Sequence, residues 1–147
     1  MQPNAKSTSP LYKFLFLLIG AALLVAAAFT LLSEPSDAAP PITEHALGSG
    51  HAIWSINPYP AKVLRGNRFL IDLTDESGAA LQGASLSVNL EMMDMVCGDY
   101  AFKMTEASPG QYSGDGVPLM AGTWKATVTV QTGDQTYTIV RMLKAIH

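Results

Sequence analysis

The chain has 147 residues, a formal net charge of −3 at pH 7, 48% hydrophobic residues and only 14% charged residues. The charged fraction lies well below the roughly 25% of an ordinary soluble domain, so part of the apolar content is expected outside a folded core. The acidic balance gives no reason to expect nucleic-acid binding, and the single cysteine excludes an intramolecular disulfide framework and an all-cysteine zinc site.

The most apolar part of the chain is a segment near its start, residues 14–32, which contains no charge and no proline. As a helix it would span about 28 Å, close to the thickness of the hydrocarbon core of a bilayer. Lysines and no acids precede it, whereas acids and no lysine or arginine follow it: Lys6 and Lys13 before it, and Glu34, Asp37 and Glu44 after it. Because positive flanks stay in the cytoplasm, the sequence predicts a cytoplasmic tail at 1–13, a single-pass membrane anchor at 14–32, and the rest of the chain outside the cytoplasm.

A cleaved signal peptide is the alternative interpretation of the same segment. Signal peptides have shorter apolar regions, of about 7–15 residues, and end in a cleavage site of small residues. The stretch Ser36-Asp37-Ala38-Ala39 could serve as such a site, but the length of the apolar run favours a retained anchor. Both interpretations place the folded domain outside the cytoplasm.

Residues 33–50 are rich in proline, serine, alanine and glycine and offer little to bury. This composition predicts a flexible linker, stiffened in its middle by Pro40 and Pro41. The folded domain is therefore expected at residues 51–147.

The dominant pattern of residues 51–147 is an alternation of apolar and polar side chains with period two, which is typical of strands with one buried face. The alternating runs, separated by turn signals, predict strands at about 52–56, 69–74, 85–92, 100–104, 111–117, 124–131 and 137–143. About seven short strands predict an all-β fold, an immunoglobulin-like β-sandwich preceded by one transmembrane helix. Tyr112, Met120 and Trp124 are expected in its core.

Short glycine, proline and methionine motifs between Trp54 and Val130 carry a family resemblance. They come in this order: Pro58 and Pro60; Gly66-Asn67-Arg68-Phe69; Asp75 and Gly78 before Ala84; Met92-Met93-Asp94-Met95; Pro109-Gly110-Gln111-Tyr112; and Leu119-Met120-Ala121-Gly122-Thr123-Trp124. In this order they resemble the YtkA-like domain, a relative of the FixH-type membrane-anchored proteins. The resemblance implies a β-sandwich outside the cytoplasm, of a kind associated with copper handling or respiratory oxidase assembly. One departure is that the methionine cluster runs into Val96-Cys97-Gly98, where family members often continue with further methionines.

The methionine cluster supplies candidate metal ligands. Continuing the strand phase of residues 85–92 places Met93, Met95 and Cys97 on one face, with successive side chains about 6.6 Å apart. Thioether and thiolate sulfurs are soft ligands that select copper(I) over zinc, calcium or magnesium. His51 is a further candidate by residue type alone. The alternative is that these methionines pack a sheet face or a partner surface, and Asp94, in the inward phase, indicates that the strand could end there.

The sequence contains no nucleotide-binding glycine loop, zinc-protease motif or nucleophile elbow, so we expect no enzymatic activity. The expected function is that of a membrane-anchored domain outside the cytoplasm that binds copper or assists its delivery to a respiratory complex. The expected partners are the membrane, through the N-terminal helix, and a membrane protein complex such as a respiratory oxidase, with no nucleic acid. A metal-free protein-interaction module that docks on such a complex is the alternative.

Overall fold

The computed structural model describes residue 15 and residues 17–25, 39–95 and 98–147. The chain divides into two units, Met1–Ser36 and Asp37–His147. In the first unit residues 17–25 are helical and their leucine side chains are exposed. No helix within the described residues combines the length and the apolar character needed to cross a membrane. Much of the predicted anchor at 14–32 lies outside the described residues.

The described part of the second unit is built from nine β-strands. They are β1 (Ile42–Leu47), β2 (Gly50–Asn57), β3 (Ala61–Lys62), β4 (Asn67–Thr74), β5 (Ser85–Met92), β6 (Tyr100–Ser108), β7 (Gln111–Gly116), β8 (Gly122–Thr132) and β9 (Gln135–Ile146). All seven strands predicted from the period-two alternation are present, and the all-β class is confirmed. β1 and β3 are additional.

The strands form one curled sheet in the order β1-β2-β4-β7-β6-β5-β8-β9-β3. All neighbours are antiparallel except β3 and β9. β6 joins the two halves of the sheet, because its first part pairs with β5 and its second part, from Thr105, pairs with β7. Phe69 of β4 packs edge-on against Phe102 of β6, with ring centroids 5.2 Å apart. Both halves thus contribute to one hydrophobic core.

The inward faces of the seven predicted strands carry the apolar residues of the alternation. Trp124 and Tyr112 are fully buried, as predicted. The Trp124 indole donates a hydrogen bond to the Met120 carbonyl over 3.0 Å, and the Tyr112 hydroxyl donates to the Leu81 carbonyl over 2.9 Å. The prediction that Met120 lies in the core is wrong, because its side chain is 37% exposed. Its backbone carbonyl accepts the hydrogen bond from the buried Trp124 indole, while its side chain points outward from a loop.

The predicted flexible linker at 33–50 is also wrong over its second half. Ile42–Leu47 forms β1, which pairs with β2 from Ile42 opposite Ser55 to Leu47 opposite Gly50. The period-two alternation did not reveal this strand, because two of its three inward positions, Thr43 and His45, are polar. Only Leu47 among them is apolar and buried.

A buried arginine of β9 holds the chain that leads into β1. The Arg141 side chain is 3% exposed, and its guanidinium donates to the carbonyls of Pro40, Pro41 and Trp54. It also lies 5.2 Å from the centre of the Trp54 ring, a cation–π distance. The Tyr59 hydroxyl donates to the Ala39 carbonyl. We call this arrangement of Arg141 and Tyr59 on residues 39–41 the arginine clamp.

His45 of β1 lies beside the arginine clamp, with its ring centroid 6.1 Å from that of Trp54. Burial, reinforced by the positive charge of Arg141, lowers the pKa of His45 below its usual range. The imidazole is therefore neutral at neutral pH and adds no second charge beside the guanidinium.

Candidate metal centre

The sheet ends where the methionine cluster begins. β5 stops at Met92, whose half-buried side chain packs against the core. The following residues bend away, and the Met93 amide donates to the Thr123 carbonyl over 3.0 Å. Two more strand residues would bring Asp94 into the inward phase, and an unpaired buried carboxylate is costly. Asp94 is instead exposed, so the strand spacing assumed for Met93, Met95 and Cys97 does not apply to the described residues 93–95.

The bend nevertheless brings two of the candidate ligands to one place. Met93 and Met95 are 54% and 51% exposed, and both line an open surface groove with Met92, Asp94 and Asp99. We call it the methionine groove. The flexible, unbranched side chains of exposed methionines can turn their sulfurs towards a common point.

The charged residues of the groove are of two kinds. Glu91 and Lys125 lie directly opposite each other on β5 and β8 and form an ion pair with a 2.5 Å distance between Lys125 Nζ and Glu91 Oε2. Within the described residues, no ion pair engages Asp94 or Asp99. The sequence did not predict the ion pair between Glu91 and Lys125. These residues face each other only because of the register of β5 and β8, which are far apart in the chain.

The structure does not bring His51 to the methionine groove. His51 is exposed at the start of β2, next to Gly50, which lines a pocket with Thr132 at the far end of β8. The groove lies at the near end of β8, because Met92 pairs with Trp124. The eight residue steps from Trp124 to Thr132 span roughly 27 Å of strand. The inclusion of His51 among the ligands is therefore corrected: residue type suggested it, and the antiparallel register separates it.

Cys97, the third predicted sulfur ligand, lies outside the described residues. In the part of the chain that the structure describes, no three His, Cys, Asp or Glu side chains are grouped so that they could hold a metal ion. The groove offers the two exposed thioethers of Met93 and Met95, flanked by the carboxylates of Asp94 and Asp99, with the half-buried Met92 beside them. Thioethers suit copper(I), a soft ion, better than they suit zinc or calcium.

Comparison with known protein families gives a match over most of the β-domain. A family model described as FixH matches residues 56–144, a range that begins in β2, ends in β9 and contains the methionine groove. Neither a curated protein nor a solved structure matches the chain.

Proposed function

Because the chain belongs to the FixH family, we propose that it is a non-enzymatic, membrane-anchored domain outside the cytoplasm that binds copper(I) or assists copper delivery during assembly of a respiratory complex. The observation that carries the proposal is the exposure of Met93 and Met95 on one groove. Methionine side chains are normally buried, and two of them beside carboxylates at a bend make an accessible soft-ligand site. Cys97, two residues further on, supplies a third sulfur in this proposal.

The first unit contains the segment that we propose as the membrane anchor. Residues 17–25 are helical and expose apolar side chains such as Leu17, Leu24 and Val25, at 71%, 74% and 68%. An apolar surface of this kind is stable in lipid and unfavourable in water. For the second unit, the common core between the halves of the curled sheet supports the proposed sandwich of immunoglobulin type.

The proposed topology predicts opposite results for two fusions of one reporter. A phosphatase that folds only outside the cytoplasm should be active when fused after His147 and inactive when inserted after Lys13 with the rest of the chain retained, because the lysine-flanked end stays inside. Activity of the Lys13 fusion alone would contradict the proposed orientation. A mature protein that begins near Ala39 would keep the location of the domain and remove the anchor.

The proposed copper site predicts a loss of affinity in the double variant Met93→Leu/Met95→Leu. Leucine keeps the volume and apolar character, so the fold should survive while both thioethers are lost. Copper(I) affinity of the full chain should fall at least roughly tenfold, equivalent to about 1.4 kcal/mol. The measurement is a competition titration against a copper(I) chelator under reducing conditions.

Met104→Leu is the matched control, because Met104 is buried in β6 and lines no part of the groove. It should bind copper(I) as the parent does. If the double variant binds copper(I) as tightly as the parent, or the parent binds none at micromolar concentration, the methionines are not ligands. The metal-free interaction module then becomes the better proposal, supported by the same exposed side chains, since exposed apolar patches mark docking surfaces.

A further inference from the structure

The two ends of the β-domain differ in their loops. Among the described loop residues, every exposed large apolar side chain lies at the end where β8 begins: Leu64, Met93, Met95, Leu119 and Met120. The loops at the other end expose polar residues such as Glu76, Ser77 and Asp134. Leu64 and Leu119 belong to adjoining loops, because the Leu64 amide donates to the Pro118 carbonyl over 2.8 Å. We call Leu64, Leu119 and Met120 the apolar tip.

The loop that carries Leu64 holds the leucine side chain in an exposed position. Leu64 is 71% exposed and has a φ of 55°, in the left-handed region that costs a leucine roughly 1–2 kcal/mol. The buried side chain of Asn67 holds this conformation. Its amide donates to the carbonyls of Lys62, Arg65 and Gly116 over 2.9, 2.9 and 3.2 Å, and its oxygen accepts from the Lys62 amide. A strained apolar residue kept in the open by a buried hydrogen-bond network indicates a contact outside the domain.

The N-terminal part of the chain joins the domain at this same end. The Ala39 amide donates to the Met142 carbonyl, three residues before Ala145, where β9 meets β3. Ala39 lies seven positions after Leu32, the last residue of the proposed anchor. Even a fully extended chain of that length spans at most about 25 Å. An anchor that ends at Leu32 therefore keeps this end of the domain close to the bilayer.

We propose that the apolar tip docks into the headgroup region of the bilayer that holds the anchor. Arg65, exposed beside Leu64, and Lys62 would meet the phosphates of anionic lipids while Leu64, Leu119 and Met120 enter the interface. This inference rests on the proposed anchor. It holds the methionine groove, which shares this end of the domain, at the membrane surface.

The test uses the full chain in vesicles of phosphatidylcholine and phosphatidylglycerol, with Cys97→Ser as the background. An environment-sensitive fluorophore on Leu119→Cys should shift to shorter wavelength and be quenched by nitroxide-labelled lipids. The same fluorophore on Glu76→Cys, at the polar end, is the matched control and should show neither effect.

Adding Leu64→Asn to the Leu119→Cys chain should abolish the shift and the quenching. Asparagine adopts the left-handed conformation more readily than leucine, so the thermal midpoint should be unchanged or higher, which separates lost docking from lost folding. Extraction with alkaline carbonate reports the anchor independently. A chain that resists extraction but shows no quenching at position 119 overturns the lipid contact and points to docking on a membrane protein. A chain that is extracted overturns the anchor and this inference with it.

Discussion

Replacing Trp124 with alanine is expected to lower the free energy of unfolding by about 3–5 kcal/mol. The side chain is fully buried, and its indole donates to the Met120 carbonyl near the end of the loop before β8. The substitution leaves a cavity in the shared core and removes the donor of a partly buried hydrogen bond. Equilibrium denaturation of the chain, followed by circular dichroism, measures the loss.

Trp124→Phe is the graded control for this cavity. Phenylalanine retains most of the apolar volume and lacks the indole N–H, so its destabilisation should be clearly smaller than that of alanine. A loss below about 1 kcal/mol in Trp124→Ala would contradict the core assignment. Because Met92 pairs with Trp124, the alanine variant should also disturb the methionine groove and weaken copper(I) binding.

Removal of the buried guanidinium is the second large effect. Arg141→Met should lower the free energy of unfolding by about 3 kcal/mol, because it leaves the carbonyls of Pro40, Pro41 and Trp54 without this donor. Amide hydrogen exchange should rise at residues 42–47, since β1 is held by β2 on one side and by the arginine clamp at its start.

Two controls separate the arginine clamp from a general charge effect. Arg141→Lys keeps the charge, but an ammonium cannot present the planar fork that reaches three carbonyls, so most of the loss should remain. Arg68→Ala removes an exposed arginine whose ion pair with Asp115 lies on the surface, and should cost at most about 1 kcal/mol. Equal losses in Arg68→Ala and Arg141→Met would show that the clamp contributes no more than a surface charge.

The alternation predicted the strands well because each predicted strand has one face in a common core. The alternation did not predict β1, because His45 faces inward beside Trp54 although it is polar, and a polar residue at that position is typical of a linker. It also could not assign a role to Arg141. The inward phase of β9 includes that position, but the carbonyls that satisfy it belong to residues about 100 positions earlier in the chain.

The candidate site was predictable by residue type and not by geometry. Soft sulfur ligands are evident from the composition of the methionine cluster, and two of them, Met93 and Met95, do line one groove. Strand phase could not place them, because the strand ends one residue before Met93. His51 was also a ligand candidate by residue type and was misplaced in space. Only the register of antiparallel strands reveals at which end of a sheet a residue lies.

The arginine clamp also sets the order in which the domain can be completed during synthesis. Ribosomes make proteins from the N-terminus, so Pro40 and Pro41 are made long before Arg141, which lies 100 residues beyond Pro41. Until β9 arrives, β1 and the residues leading into it lack the side chain that fixes them. Non-local contacts of this kind slow folding, because the chain closes a long loop before the contact is gained. The last-made strand is thus the one that locks the first-made strand in place, and a nascent chain without β9 leaves its earliest strand unsecured.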